Sequence, residues 1–160
     1  MVADALGDAQ AEWTLRHVLT AGSLLGKSCQ GTLKLAGHTL EVQEQGYLFG
    51  KHLALAWQAS LDREPFMSGT TGPFSLVCAP VMYHLQHDPE LYDEIERGMD
   101  SVDNVDYDKI REIVLSGPGI EKTRELQREH SRAAMEVLNQ LPHTDARTAL
   151  ANIIAAMQVM

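Results

Sequence analysis

The stretch YLFGKHLALAWQASLDREPF, residues 47–66, sets apolar side chains in almost every direction of a helical wheel from Tyr47 to Leu61. A helix that is apolar all round is a central helix of a larger assembly of helices. It ends at Pro65, which lacks the amide hydrogen that a helix interior needs. Along it runs a polar seam: Glu44, Lys51, Gln58 and Asp62 follow one another at seven, seven and four residues, within about 40° of one another at 100° per residue. An unpaired buried polar group costs about 1 to 3 kcal/mol, so the seam has to face partner helices, a wet edge or the wall of a polar cavity. A wet edge of the bundle or pairing with other helices is the commoner outcome; the wall of a ligand cavity is the sharper one.

Outward from this helix, apolar residues recur at three- and four-residue spacing nearly everywhere, without strict alternation bounded by turn residues. The chain is therefore expected to be all-α, with helices at about 11–36, 39–63, 73–87, 89–98, 106–116, 120–141 and 144–158. Gly37 can take the left-handed conformation that ends the first of these, and PFMSGTTGPF (65–74) and SGPG (116–119) are breaks rich in Pro and Gly. Thr144 can cap the last helix, where Ala146, Leu150, Ile153, Met157 and Met160 form an apolar stripe that needs a covering partner. With no repeat and no linker, residues 1–160 read as one helical domain.

Composition narrows the function. The 160 residues are 44% hydrophobic and 22% charged, ordinary globular values, and the net charge of −9 includes no block of Lys or Arg. Nucleic acid and anionic membrane surfaces are poor partners for such a chain. No apolar run reaches the roughly 20 residues of a membrane helix, and MVADALGDAQAEW has neither a basic n-region nor an Arg-rich transit pattern. Cys29 and Cys78 sit in apolar helical patterns and read as core thiols of a reducing compartment. His84, His87 and Asp88 stand at a helix end before Pro89 and read as a solvated terminus, because a structural zinc needs four ligands and nothing completes this set. Gly22 and Gly26, one turn apart in GSLLG, point to close approach of another helix, of this chain or of a second subunit.

TAGSLLGKSCQGTLKLAGH (20–38), the stretch 47–66, FSLVCAPVMY (74–83) and SGPGIEKTRELQREHSRAAMEVLNQLP (116–142) follow one another in an order that resembles the C-terminal half of the all-trans polyprenyl diphosphate synthases. SLLGKSCQ and GYLFGKH more narrowly resemble the non-catalytic subunits of the heteromeric, decaprenyl-forming members. The likeness runs from Trp13 to Met157. It implies a helical bundle of the isoprenoid synthase type, which lengthens an allylic diphosphate with isopentenyl diphosphate. In that chemistry two Asp-rich helical motifs hold magnesium, because carboxylates at i and i+4 share a helix face and phosphate oxygens and water complete the octahedron.

The departures from the family pattern decide the expected function. Active relatives place their second motif after a Phe-Gln pair, matched here by Trp57 and Gln58, and its three Asp positions fall on Leu61, Asp62 and Pro65. One acid of three remains. A Lys-Thr pair that contacts diphosphate in active relatives corresponds to Thr20 and Ala21. Loss of metal ligands and phosphate contacts together removes what is usually the largest catalytic contribution. The resemblance thus implies a non-catalytic subunit that needs no cofactor of its own and whose catalytic partner carries the magnesium. It further implies a hetero-oligomer, a tetramer, placed in mitochondria and serving ubiquinone side-chain synthesis. Gly22 and Gly26 are the candidate contact residues. The rival readings are an active prenyltransferase that uses Asp62 with other acids, and an unrelated helical adapter.

Overall fold

A computed structural model describes residues 8–98, 105–141, 147–148, 151–152 and 154–155. Its helices are α1 (Ala9–His17), α2 (Ser23–Leu35), α3 (Leu40–Arg63), α4 (Ala79–His87), α5 (Leu91–Arg97), α6 (Tyr107–Leu115) and α7 (Gly119–Gln140). A π turn, Val18–Gly22, joins α1 to α2, and a 3-10 turn, Glu64–Phe66, follows α3. Among the described residues there is no strand. Arg147, Thr148, Ala151, Asn152, Ile154 and Ala155 are helical, in the region read as the last helix. Thr144 and the stripe of Ala146, Leu150, Ile153, Met157 and Met160 lie outside the described residues.

The single first helix expected over 11–36 is interrupted. An i→i+5 turn admits one extra residue, and Gly22 makes room for it: a Cβ there would lie 3.1 Å from the His17 carbonyl oxygen. The far end stops as expected. Gly37 has φ +81°, the Gly37 amide donates to the Lys34 carbonyl and the His38 amide to the Leu33 carbonyl, a paired closure that satisfies the last turn. Thr39 then opens α3 by accepting the Val42 amide.

A second departure concerns the helix expected over 73–87, which begins only at Ala79. Cys78 is extended (φ −70°, ψ 159°) and Pro80 occupies the first turn, where its missing amide hydrogen costs nothing. Pro80 therefore marks a start, and the residues before Ala79 belong to the loop.

The described chain groups into two compact units, one of residues up to Trp13 with Leu61–Arg124, the other of Thr14–Ser60 with the residues from Glu125 onward. In the first, Phe66, Cys78, Val81, Leu85, Leu91, Ile95, Ile110 and Val114 form the core. Its long 64–78 connection is held by Arg111, buried among apolar neighbours. The guanidinium donates to the Pro65 carbonyl (2.7 Å), the Gly72 carbonyl (2.7 Å) and Asp108 (2.7 Å), and stacks 5.1 Å from the Phe74 ring centroid. Replacing Arg111 with Met is expected to lower stability by about 2 kcal/mol in urea melts and to speed proteolysis between residues 67 and 77, since two loop carbonyls lose their donor.

In the second unit Phe49, Ala56, Ala134, Leu138 and Ile154 make the core. There α2 and α3 cross backbone to backbone through glycines. A Cβ on Gly26 would lie 2.8 Å from the Tyr47 ring, and one on Gly50 would lie 2.6 Å from the Leu25 carbonyl oxygen. The all-round apolar α3 is buried at Phe49, Ala54, Leu55, Ala56 and Ala59, yet it exposes Leu48 (40%) and Trp57 (46%). Among the described residues it is covered on part of its circumference only.

Candidate functional site

Thr20 and Ala21 sit on the π turn, both exposed. The Thr20 hydroxyl donates to the carbonyls of Arg16 (3.2 Å) and His17 (3.3 Å), so it is turned onto its own helix. Ala21 opens onto a groove of about 480 Å³ between α2 and α3, lined also by Leu24, Leu25, Ser28, Leu53, Ala54, Trp57 and Gln58. The structure thus brings Ala21 and Gln58, 37 residues apart in sequence, to one groove. Nothing in that lining carries a charge. Such walls can shelter hydrocarbon, but they offer neither a cation for a diphosphate nor a carboxylate for magnesium.

The remaining positions, Leu61, Asp62 and Pro65, belong to the other unit. Leu61 is exposed, while Pro65 lies in the 3-10 turn with its carbonyl engaged by Arg111. Asp62 is 8% exposed, and its Oδ2 accepts two N–H donors: the Trp13 indole Nε1–H at 2.8 Å and the Ala79 amide at 2.9 Å. The Ala79 amide is an orphan donor of the first turn of α4, so Asp62 caps a helix seventeen residues away. It also anchors Trp13, which is fully buried. Both of these contacts are structural: the carboxylate accepts from the indole and from the amide that opens α4.

Of the rest of the seam, Glu44 is exposed, and Lys51 and Gln58 are half-buried. Among the described residues no group of three or more His, Cys, Asp or Glu side chains is arranged to hold a metal ion. The two thiols are free; burial pushes Cys78 up to about 12, helped by the neighbouring Asp62 charge, and burial also raises Cys29. Both stay protonated at neutral pH.

Gly22 and Gly26 are both buried in contact with α3 of the same chain, at Lys51 and Tyr47 respectively. Their smallness is used for that crossing. The expected solvated terminus at His84–Asp88 holds for the exposed His87 and fails for His84, which is 4% exposed. Gly117 explains the difference: lacking a Cβ, it lets the His84 ring pack flush on the turn between α6 and α7. Burial lowers the His84 pKa, against the opposing pull of Asp88, and keeps the ring neutral. Arg111 also escaped the sequence reading; its signal was a guanidinium in the buried stripe between Ile110 and Val114.

No family model matches this chain. Its sequence is 35% identical over 154 residues to the all-trans-polyprenyl-diphosphate synthase PDSS2 of Homo sapiens, covering 91% of this chain and 37% of that protein. It is 33% identical over 146 residues to the mitochondrial solanesyl-diphosphate synthase 1 of Oryza sativa subsp. japonica, covering 86% of this chain and 34% of that protein. The fold matches an apo medium/long-chain length prenyl pyrophosphate synthase of Arabidopsis with a TM-score of 0.78 at 26% identity, over 92% of this chain and 54% of that one. The chain therefore spans little more than a third of the length of these sequence relatives and about half of the structural one. Its architecture is the all-α isoprenoid synthase fold.

Proposed function

We propose, for a chain similar over nine-tenths of its length to part of the all-trans polyprenyl diphosphate synthases, the role of a non-catalytic subunit. Its partner in this reading is a catalytic polyprenyl diphosphate synthase subunit, in a mitochondrial hetero-oligomer, a tetramer, that serves the ubiquinone side chain. The observation that carries the reading is Asp62. Of the three positions that match the second acid motif it alone holds a carboxylate, and that carboxylate is buried under two structural hydrogen bonds.

Magnesium does not fit these residues. Its octahedron draws on carboxylates that share a helix face with open lone pairs, and Leu61 and Pro65 supply none. In this reading the ion belongs to the catalytic partner. An apolar face supports assembly: Leu15, Leu19 and Leu24 are 58%, 72% and 72% exposed. Spacings of four and then five residues stay on one face because the π turn Val18–Gly22, which contains Leu19, takes up the extra residue. Such a row, uncovered among the described residues, is what a partner helix buries.

Purified chain, with and without a catalytic subunit, should be assayed for incorporation of radiolabelled isopentenyl diphosphate. Background incorporation alone and product formation with the subunit are expected. Polyprenyl product from this chain alone would overturn the proposal in favour of an active prenyltransferase. Failure to co-purify with any synthase subunit would leave the helical adapter.

A further inference from the structure

His52 on α3 and His130 on α7, 78 residues apart, turn their Nδ1 atoms toward each other at 3.0 Å, with ring centroids 5.3 Å apart and planes tilted by 30°. We propose that this imidazole pair is a proton-operated clasp that holds α3 to α7 at neutral pH and releases them in acid.

At that separation one Nδ1 carries the hydrogen and donates, and the other presents its lone pair. The two rings must therefore be opposite tautomers, each fixing the other. One added proton can still be shared across the bond. A second places hydrogen on both Nδ1 atoms, and two donors and two positive charges then face each other. Lys51 on α3 adds positive charge beside both rings, and at His52 it outweighs the opposing charge of Glu129 on α7. His130 is buried and His52 half-buried. Burial first, then the partner ring and Lys51, lowers His52 from its ordinary 6.5 to about 4; burial and then Lys51 lowers His130 to about 4.

The sign follows from proton uptake. Between pH 6.5 and about 4 the opened rings bind protons that the closed pair refuses, so the closed state is fully favoured above 6.5 and loses its advantage as the pH falls toward 4. The location makes the release consequential. His52 lies one turn from Phe49 and Ala56, and His130 one turn from Ala134, so the pair borders the apolar layer between α3 and α7. Opening the clasp wets that layer. The α5–α6 packing in the other unit rests on Leu91, Ile95, Ile110 and Val114, none of which titrates; the buried His84 of that unit packs on the turn after α6 and not within this layer.

Imidazole ¹⁵N spectra of the full chain should show one ring protonated on Nδ1 and the other on Nε2, titrating together well below 6.5. Hydrogen exchange between pH 7 and 4, corrected for intrinsic rates, should show amides of residues 49–56 and 127–138 losing at least about tenfold protection while those of 110–114 keep theirs. In His130→Asn the amide can still bond His52 but cannot charge, so the midpoint of that loss should fall by about one pH unit. Two rings titrating separately near 6.5, equal loss of protection in α6, or an unmoved midpoint in His130→Asn would each overturn the clasp.

Discussion

Gly50→Ala should lower the melting temperature by roughly 6 to 12 °C, the equivalent of about 3 kcal/mol in a chain of this size. The added methyl would sit 2.6 Å from the Leu25 carbonyl oxygen and 2.9 Å from the Gly26 Cα. These are backbone atoms of α2, without a rotamer to swing aside, so the two helices have to separate along their crossing. Overpacking usually costs about 1 to 3 kcal/mol; contact with backbone on this scale raises it to roughly 4. The helix-propensity gain of alanine over glycine offsets about 1 kcal/mol of that. Gly31→Ala is the matched control. It lies inside α2 with nothing within 4 Å of its added Cβ, and should stabilise by about 1 kcal/mol. Differential scanning calorimetry of the two variants checks both signs; a neutral Gly50→Ala would mean that the crossing is loose.

Asp62→Ala should destabilise by roughly 3 to 5 kcal/mol, because two hydrogen bonds to a charged acceptor are lost at about 1.5 to 3 kcal/mol each. The Trp13 indole and the Ala79 amide would remain buried without their acceptor. The expected damage is to folding, which makes alanine a poor probe of chemistry at this position. Asp62→Asn is the better one. Its carbonyl oxygen can still accept from both donors, so the loss should fall to about 1 kcal/mol. A scaffold carrying Asp62→Asn should bind its catalytic subunit and support synthesis at the wild-type rate. A prenyltransferase using Asp62 on magnesium would instead lose its rate while staying folded. Urea melts of both variants, beside incorporation assays of the asparagine one in the complex, separate the two readings.

Much of the helical layout was legible because its causes are local. Gly37 stops α2 through its own positive φ, and Pro65 limits α3 through its missing amide hydrogen. The same local logic failed where two signals competed. The apolar residues of FSLVC have helical spacing, yet Pro80 sets the true start at Ala79, and periodicity alone does not weigh a proline at the first turn against the residues before it. The π turn was hidden too, because an extra residue in the hydrogen-bond ladder changes no residue's propensity; the four-then-five spacing of Leu15, Leu19 and Leu24 was its trace.

By itself the sequence determined an all-helical chain and a glycine pair, Gly22 and Gly26, that calls for close approach of another helix; that one acid of three remains at Asp62 is what the family resemblance implied. The first two conclusions rest on residue identity and on spacings within one helix. Only the tertiary structure decided what those residues face. It assigned Gly26 and Gly50 to one crossing inside the chain, set His52 against His130, and made Asp62 the cap of α4 and the anchor of Trp13. Each of these depends on a partner between 17 and 78 residues away, and spacing along one helix carries no information about what another helix brings to its face.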